Sequence, residues 1–149
     1  MASGVYNRFF YNLAKGDVHW DTDNIKVALL GDSYTFDAGH NVWDTDSSSY
    51  QGPKLFEIAN GNGYTTGGSS LDNCAVSQDD TAAWAKLDAD DEVWSGATIN
   101  TWGAVVYDDT LSSDDNICYF DFAAQKSVST GSLTLQWSTN GLMTIAESS

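Results

Sequence analysis

Alternating apolar and polar positions dominate the chain and predict β-strands joined by tight turns. The clearest strand lies within residues 22–32, where β-branched and aliphatic residues run between polar turn residues and a closing Gly-Asp pair. Ile25, Val27 and Leu29 share one face of such a strand, and the opposite face becomes apolar only towards its end. We therefore expect a central strand of a β-sheet; a helix is the competing interpretation of so short a segment.

Further alternation raises the number of predicted strands to about eight. The later candidates are, in chain order, residues 71–78, 81–87, 92–94, 97–107, 117–122, 132–137 and 142–145. Asp79-Asp80 is the predicted turn of a first hairpin, and Asn140-Gly141, a strong hairpin signal, is the predicted turn of the last. Strands at this spacing indicate a mainly β protein, an antiparallel β-sandwich.

One amphipathic helix is predicted near the amino terminus, over residues 5–15. An aromatic stripe at helical spacing is formed by Tyr6, Phe9, Phe10 and Leu13. Ser3 is placed to cap the start of this helix, and Gly16 stands where a left-handed C-terminal residue belongs. The stripe either packs on the sheet or docks on a neighbouring subunit.

The segment 32–54 interrupts this regular pattern. It is polar and poor in alternation, with isolated aromatic residues that include Trp43 and Tyr50. A loop of this length in a compact domain usually has a function or a partner. At 149 residues the whole chain, 1–149, is expected to form a single domain.

The charge balance narrows the classes of partner. The chain has 21 acidic and 6 basic residues, a formal net charge of −15. Such a surface repels phosphate backbones and anionic lipids, so we expect neither nucleic acid nor a membrane as a partner. Solubility explains part of the acidity; binding to a basic surface, or dispersal at high copy number, are the other interpretations. With no signal-peptide pattern and no long apolar run, the protein is expected to be made in a cytoplasm and to stay soluble.

The sequence contains no recognisable catalytic motif. His19 and His40, the only histidines, lie outside any HExxH pattern and no GxSxG serine is present. The glycines between residues 61 and 68 are not followed by the Lys-Ser/Thr pair of a phosphate-binding loop. We therefore predict that the protein is not an enzyme and has no cofactor.

Metal binding and disulfide formation are weakly indicated. A loop beginning at Asp44 resembles an EF-hand at first, but Ser49 stands at the sixth position and Leu55 at the twelfth, where Gly and Glu are required. Other acidic turns are interpreted as solvated, so no metal site is predicted. Cys74 and Cys118 are interpreted as buried thiols, with a disulfide as the alternative.

Four segments taken together resemble a group of small virion proteins of tailed bacteriophages. They are VYNRFFYNLAKGDVHWDTDNIKVALLGDSYTFD, GNGYTTGGSSL, ADDEVWSGATINTWGAVVYDDT and TLQWSTNGLMTI. The similarity extends over most of the chain, although residues 32–54 match less well. The resemblance implies a structural component of the virion, assembled in the host cytoplasm.

Within that group, the expected function is a head decoration, or cement, protein that binds the outer capsid surface. Its partners would be the major capsid protein or other virion proteins, and a homo-oligomer such as a trimer would suit the threefold sites of a capsid. The residues expected to contact a partner are Tyr6, Phe9, Phe10, Trp43 and Tyr50. A tail or neck component is the alternative within the class; a carbohydrate-binding module or a hydrolase are alternatives outside it.

Overall fold

The computed structural model describes residues 3–44 and 51–147. Within them the chain is mainly β, with one α-helix near the amino terminus. The elements are β1 (Gly4–Val5), α1 (Asn7–Lys15), β2 (Ile25–Leu30), a short 3-10 helix (Pro53–Phe56), β3 (Ser69–Ser70), β4 (Ala75–Asp79), β5 (Trp84–Asp88), β6 (Glu92–Asp108), β7 (Asp115–Leu135) and β8 (Met143–Ala146).

The strands form two antiparallel sheets in a sandwich-like arrangement, which confirms the predicted fold class. The larger sheet has five strands in the order β1-β7-β6-β2-β3, and the smaller has three in the order β4-β5-β8. Two long strands, β6 and β7, pair along most of their length and form the centre of the larger sheet. Bulges interrupt this pairing, one of them between Trp94 and Ala97, and allow the long strands to bend around the core.

The central strand predicted within residues 22–32 is confirmed as β2, and it is not a helix. It lies between β6 and β3, and both of its faces are buried. Val27 and Leu29 point into the main apolar core, whereas Ala28 and Leu30 point into a second core that is rich in tyrosine. Its apolar character on both faces therefore reflects a strand covered on both sides.

The predicted helix is confirmed but begins later, at Asn7. Two residues of the predicted range are used elsewhere: Val5 pairs with β7 as part of β1, and Tyr6 has an extended backbone. Ser3 does not cap the helix, since its hydroxyl accepts a hydrogen bond from the Asp121 amide instead. Gly16 ends the helix with a left-handed φ of 75°, as predicted.

The first predicted hairpin is present, and the last is not. β4 and β5 pair through a turn over residues 80–83, longer than the predicted Asp79-Asp80 turn. The chain does reverse between Ser138 and Gly141, but β8 then pairs with β5 and not with β7. The prediction of a final hairpin was wrong because a turn sequence fixes a local reversal, whereas the strand partner is set by which sheet edge lies nearby.

Residues 31–44 and 51–52 contain no helix and no strand apart from an isolated bridge at Val42, in keeping with the predicted loop over 32–54. The predicted contact residue Tyr50 lies outside the described residues.

Both cysteines are free: Cys118 is buried in the main core and Cys74 is half-buried. The interpretation as thiols is therefore confirmed over the disulfide.

Candidate interaction surface on the N-terminal helix

The helix α1 is fixed to the larger sheet by an apolar and a polar contact. Phe9 is buried in the main core, and Asn12, one turn further, is buried beside it. The Asn12 side-chain amide donates a 2.7 Å hydrogen bond to the buried carboxylate of Asp115 on β7. Asp115 also accepts a 2.6 Å hydrogen bond from the Ser113 hydroxyl and lies 3.9 Å from the Arg8 guanidinium. These contacts set the orientation of the helix, because a buried carboxylate with several donors has little freedom to move.

Outside this contact, α1 carries a patch of large exposed side chains. Phe10 and Tyr11, on the side away from the sheet, are 52% and 55% exposed, and Leu13, one turn after Phe9 at the border of the buried side, is 40% exposed. Two cations flank the Tyr11 ring, Arg8 at 5.7 Å and Lys15 at 5.2 Å from its centroid. Aromatic residues with adjacent cations are typical of protein interfaces, and this patch lies on a strongly acidic molecule.

An apolar groove of about 430 Å³ continues from this patch towards the smaller sheet. Leu13 and Val18 line one side, and Val76, Ala85 and Ile145 line the other, from all three strands of that sheet. Trp20, whose indole N–H donates a 2.8 Å hydrogen bond to the Asp88 carbonyl, also lines the groove. Because Val76 is 53% exposed, the inner face of the small sheet is only partly covered.

Only one of the described residues expected to contact a partner lies on the surface. The structure places Tyr6, Phe9 and Trp43 in the core, where a partner cannot reach them. Tyr6 shares a 2.7 Å hydrogen bond with the Tyr34 hydroxyl, and the Trp43 indole stacks on a buried tyrosine ring. Of the described residues that were predicted to contact a partner, Phe10 is the one whose side chain is exposed to a partner.

The sequence analysis did not include Tyr11 or Leu13 among the expected contact residues. The aromatic stripe identified which residues share a side of the helix, but not which side faces the sheet. The buried side is set by Phe9 together with Asn12, a polar residue whose partner Asp115 is 103 positions away along the chain. The available signal was the run of three consecutive aromatic residues at positions 9, 10 and 11, because three successive helical positions cannot all face the same sheet.

A pair of carboxyl groups, Asp23 and Asp108, meets at the end of β6. Asp108 is 1% exposed, and one of its oxygens accepts a 2.9 Å hydrogen bond from the Thr110 amide. Burial, with a further contribution from the Asp23 carboxyl, raises the pKa of Asp108 to about 6. The pair is suited to sharing a proton.

A second polar network, at Glu57, fixes the glycine-rich segment that precedes β3. The Tyr64 hydroxyl donates a 2.6 Å hydrogen bond to a Glu57 oxygen and accepts a 3.1 Å bond from the Leu29 amide of β2. The Gly67 amide donates to the same Glu57 oxygen at 2.6 Å. Burial raises the pKa of Glu57, and these two donors oppose that rise. The network joins a connector to the central strand and leaves the glutamate engaged with the protein itself.

The two histidines, which were considered as catalytic candidates from the sequence, each lie close to another side chain. His19 Nδ1 lies 3.7 Å from Asp23, and His40 Nδ1 lies 3.1 Å from the buried Tyr34 hydroxyl. Across residues 3–44 and 51–147, no group of three or more His, Cys, Asp or Glu side chains is arranged to bind a metal ion. Of the six tryptophans, Trp20, Trp43 and Trp94 are buried, and Trp84, Trp102 and Trp137 are half-buried.

No helix in the described part of the chain combines the length and the apolar character needed to cross a membrane. Comparison of the chain with protein-family models, with curated proteins and with solved structures found no match.

Proposed function

We propose that the chain is a structural protein of a tailed-bacteriophage virion, most specifically a decoration protein that binds the outer surface of the head. It would bind through the exposed side of α1 and the adjacent apolar groove. Burying such a surface at many equivalent positions adds a small stabilisation to each contact between capsid subunits and a large one to the whole shell.

The observation that carries the proposal is the contrast between the two sides of α1. The helix is fixed by Phe9 and by the Asn12–Asp115 hydrogen bond, yet it presents Phe10 and Tyr11 to solvent. A preformed helix with exposed aromatic residues binds without a large cost in conformational entropy. Arg8 and Lys15, two of only six basic residues in the chain, lie beside Tyr11, although Lys15 also forms a 2.8 Å ion pair with Asp17 and Arg8 lies 3.9 Å from Asp115, so a partner's acidic group would compete with these internal acids.

The absence of a reachable reactive centre among the described residues also favours a binding role. Asp108, the carboxyl group with the raised pKa, is buried, and the Glu57 carboxylate accepts two internal hydrogen bonds. The high acidity then serves to keep free copies apart, and away from DNA, before assembly.

The test begins with a phage that encodes the chain. Imaging its virions at subnanometre resolution should place the protein on the outer head surface in many copies. Density on the tail or neck would support the alternative location, and virions without the protein would overturn the proposal.

Heads that lack the protein then allow its binding surface to be tested. Wild-type protein should rebind them, and the double substitution Phe10→Ser/Tyr11→Ser should weaken binding by at least about 10-fold, since exposed aromatic anchors typically contribute 1–2 kcal/mol or more. Leu55→Ser is the matched control, because Leu55 is 59% exposed but lies on the 3-10 helix, outside the α1 surface. Equal weakening by the control would count against α1 as the contact.

A further inference from the structure

The carboxyl-terminal quarter of the chain differs from the rest in charge. Residues 123–146 contain a single charged side chain, Lys126, although 18% of the chain is charged. No acid occurs between Asp121 and Glu147, which makes this the longest acid-free stretch of a chain with 21 acidic residues. We call the surface formed by residues 123–146 the neutral face.

The neutral face combines exposed polar side chains with half-buried apolar ones. At the end of β7 and just after it, the half-buried Leu133 and Leu135 pack against the main core, whereas Ser132, Thr134 and Gln136 alternate with them and are exposed. This alternation produces a row of uncharged hydroxyl and amide groups on the outside of the strand. Hydroxyl and amide groups form hydrogen bonds across an interface without the cost of desolvating a charge.

Two open strand edges border this face. β7 pairs with β1 only at Cys118 and Tyr119, so in the part of the chain that the structure describes, its outer side has no strand partner from Phe120 onwards. Among the described residues, β8 pairs only with β5. Between them, a groove of about 330 Å³ is lined by Phe120, Trp137 and Leu142 among others, and by one acid, Asp121. Open edges present backbone N–H and C=O groups that are ready to pair with another chain.

The charge distribution of the molecule indicates which kind of binding partner the neutral face favours. An oppositely charged partner would favour the acidic surface that covers the rest of the molecule. A partner with the same strong negative charge is repelled there and meets less repulsion on the neutral face, where the neighbouring acids include Asp121, which lines the groove, and Asp91, which accepts a hydrogen bond from the Trp137 amide. A second copy of this chain, itself with a net charge of −15, is such a partner.

We therefore infer that the neutral face is the surface through which copies of this chain associate with one another. It is separate from the surface of α1, and it does not depend on the function proposed above. Placed side by side, associated copies would present several α1 surfaces at once, which increases the avidity of any binding through α1.

Analytical ultracentrifugation of the purified chain tests this inference. We expect concentration-dependent association with a dissociation constant below about 1 mM. Association should become tighter as salt rises from about 0.05 to 0.5 M, because salt screens the repulsion between two acidic molecules. An interface held by ion pairs would show the opposite salt dependence. A chain that stays monomeric across this range would overturn the inference.

Substitutions then locate the interface. Ser132→Asp/Thr134→Asp should weaken association at least 10-fold, whereas Ser77→Asp/Gln78→Glu, which adds the same charge to the exposed β4 strand, should change it by less than 3-fold. Equal loss in both variants would show a general charge effect and overturn the assignment. Mixing the Asp variant with Ser132→Lys/Thr134→Lys should restore association between the two, a gain that a misfolded variant could not produce.

Discussion

The two sheets are built by the same antiparallel pairing but differ in how they are covered. In the larger sheet, β2 is buried on both faces, by the main core on one side and by the tyrosine-rich core on the other. In the smaller sheet, Leu87 of β5 is buried, while Val76 of β4 remains 53% exposed. The comparison shows that strand pairing alone does not determine how much a strand contributes to stability, because most of the stabilisation comes from apolar area removed from water.

This difference has a consequence for function. The larger sheet holds α1 in place through Phe9 and Asp115 and acts as the rigid support of the molecule. The smaller sheet offers a partly covered face and an open edge. Regions with fewer buried contacts open more easily and adapt more readily to a partner.

The largest expected effect comes from shortening a buried side chain of β2. Leu29→Ala should lower the free energy of unfolding by about 2–5 kcal/mol, because it removes apolar contacts and leaves a cavity. Val76→Ala, the matched change in the smaller sheet, should cost less than about 0.5 kcal/mol. Urea unfolding followed by tryptophan fluorescence measures both. Similar losses in the two variants would contradict the contrast between the sheets.

A smaller effect is expected where the glycine-rich connector passes close to β2. Gly68 has a left-handed φ of 75°, and a Cβ there would collide with the Val27 carbonyl. Gly68→Ala should therefore cost about 2–4 kcal/mol, from backbone strain and collision together. Gly96→Ala is the control: Gly96 is also left-handed, with φ of 60°, but has open space around it, so only about 1 kcal/mol is expected. Equal costs would mean that the connector moves away from β2 without penalty.

The smallest effect is a dependence of stability on pH at the end of the larger sheet. Because the pKa of Asp108 is raised to about 6 in the folded protein, the folded state binds this proton more tightly than the unfolded chain. Its contribution to stability is complete below the unfolded pKa, about 4, and is lost as pH rises through about 6.

Asp108→Asn removes this titration. The stability of the variant relative to wild type should therefore rise between about pH 4 and pH 7 and then level off. Urea unfolding at several pH values measures the difference, with Asp80→Asn, at the exposed turn of the smaller sheet, as the control. A difference that stays flat with pH would show that Asp108 is not held in a proton-sharing pair.

Much of the local structure could be predicted from short segments. The alternation around Val27 predicted β2, and Gly16 predicted the end of α1; the structure confirms both. Both signals act through neighbouring residues. The start of the helix was less predictable, since Val5 satisfies its backbone by pairing with β7, a partner distant in sequence. The long β6 and β7 strands were predicted as shorter pieces because bulges interrupt the period-two pattern without ending the strand.

The candidate site was predictable only in part. Phe10 was identified and is exposed, whereas Tyr6, Phe9 and Trp43 are buried. An aromatic residue has the same sequence signal whether it fills a core or forms an interface. The two cases are separated by which residues lie opposite, and those come from distant parts of the chain.

The sequence by itself determined that this protein is mainly β and acidic, and that it has a helix near the amino terminus that ends at Gly16. These properties follow from side-chain periodicity, charge and backbone preference, which act over a few residues. Only the tertiary structure decided that β8 joins β5, that Asn12 meets Asp115, and therefore that α1 turns Phe10 and Tyr11 outward. Those outcomes depend on contacts between segments far apart along the chain, where many pairings satisfy the same local pattern and packing selects one.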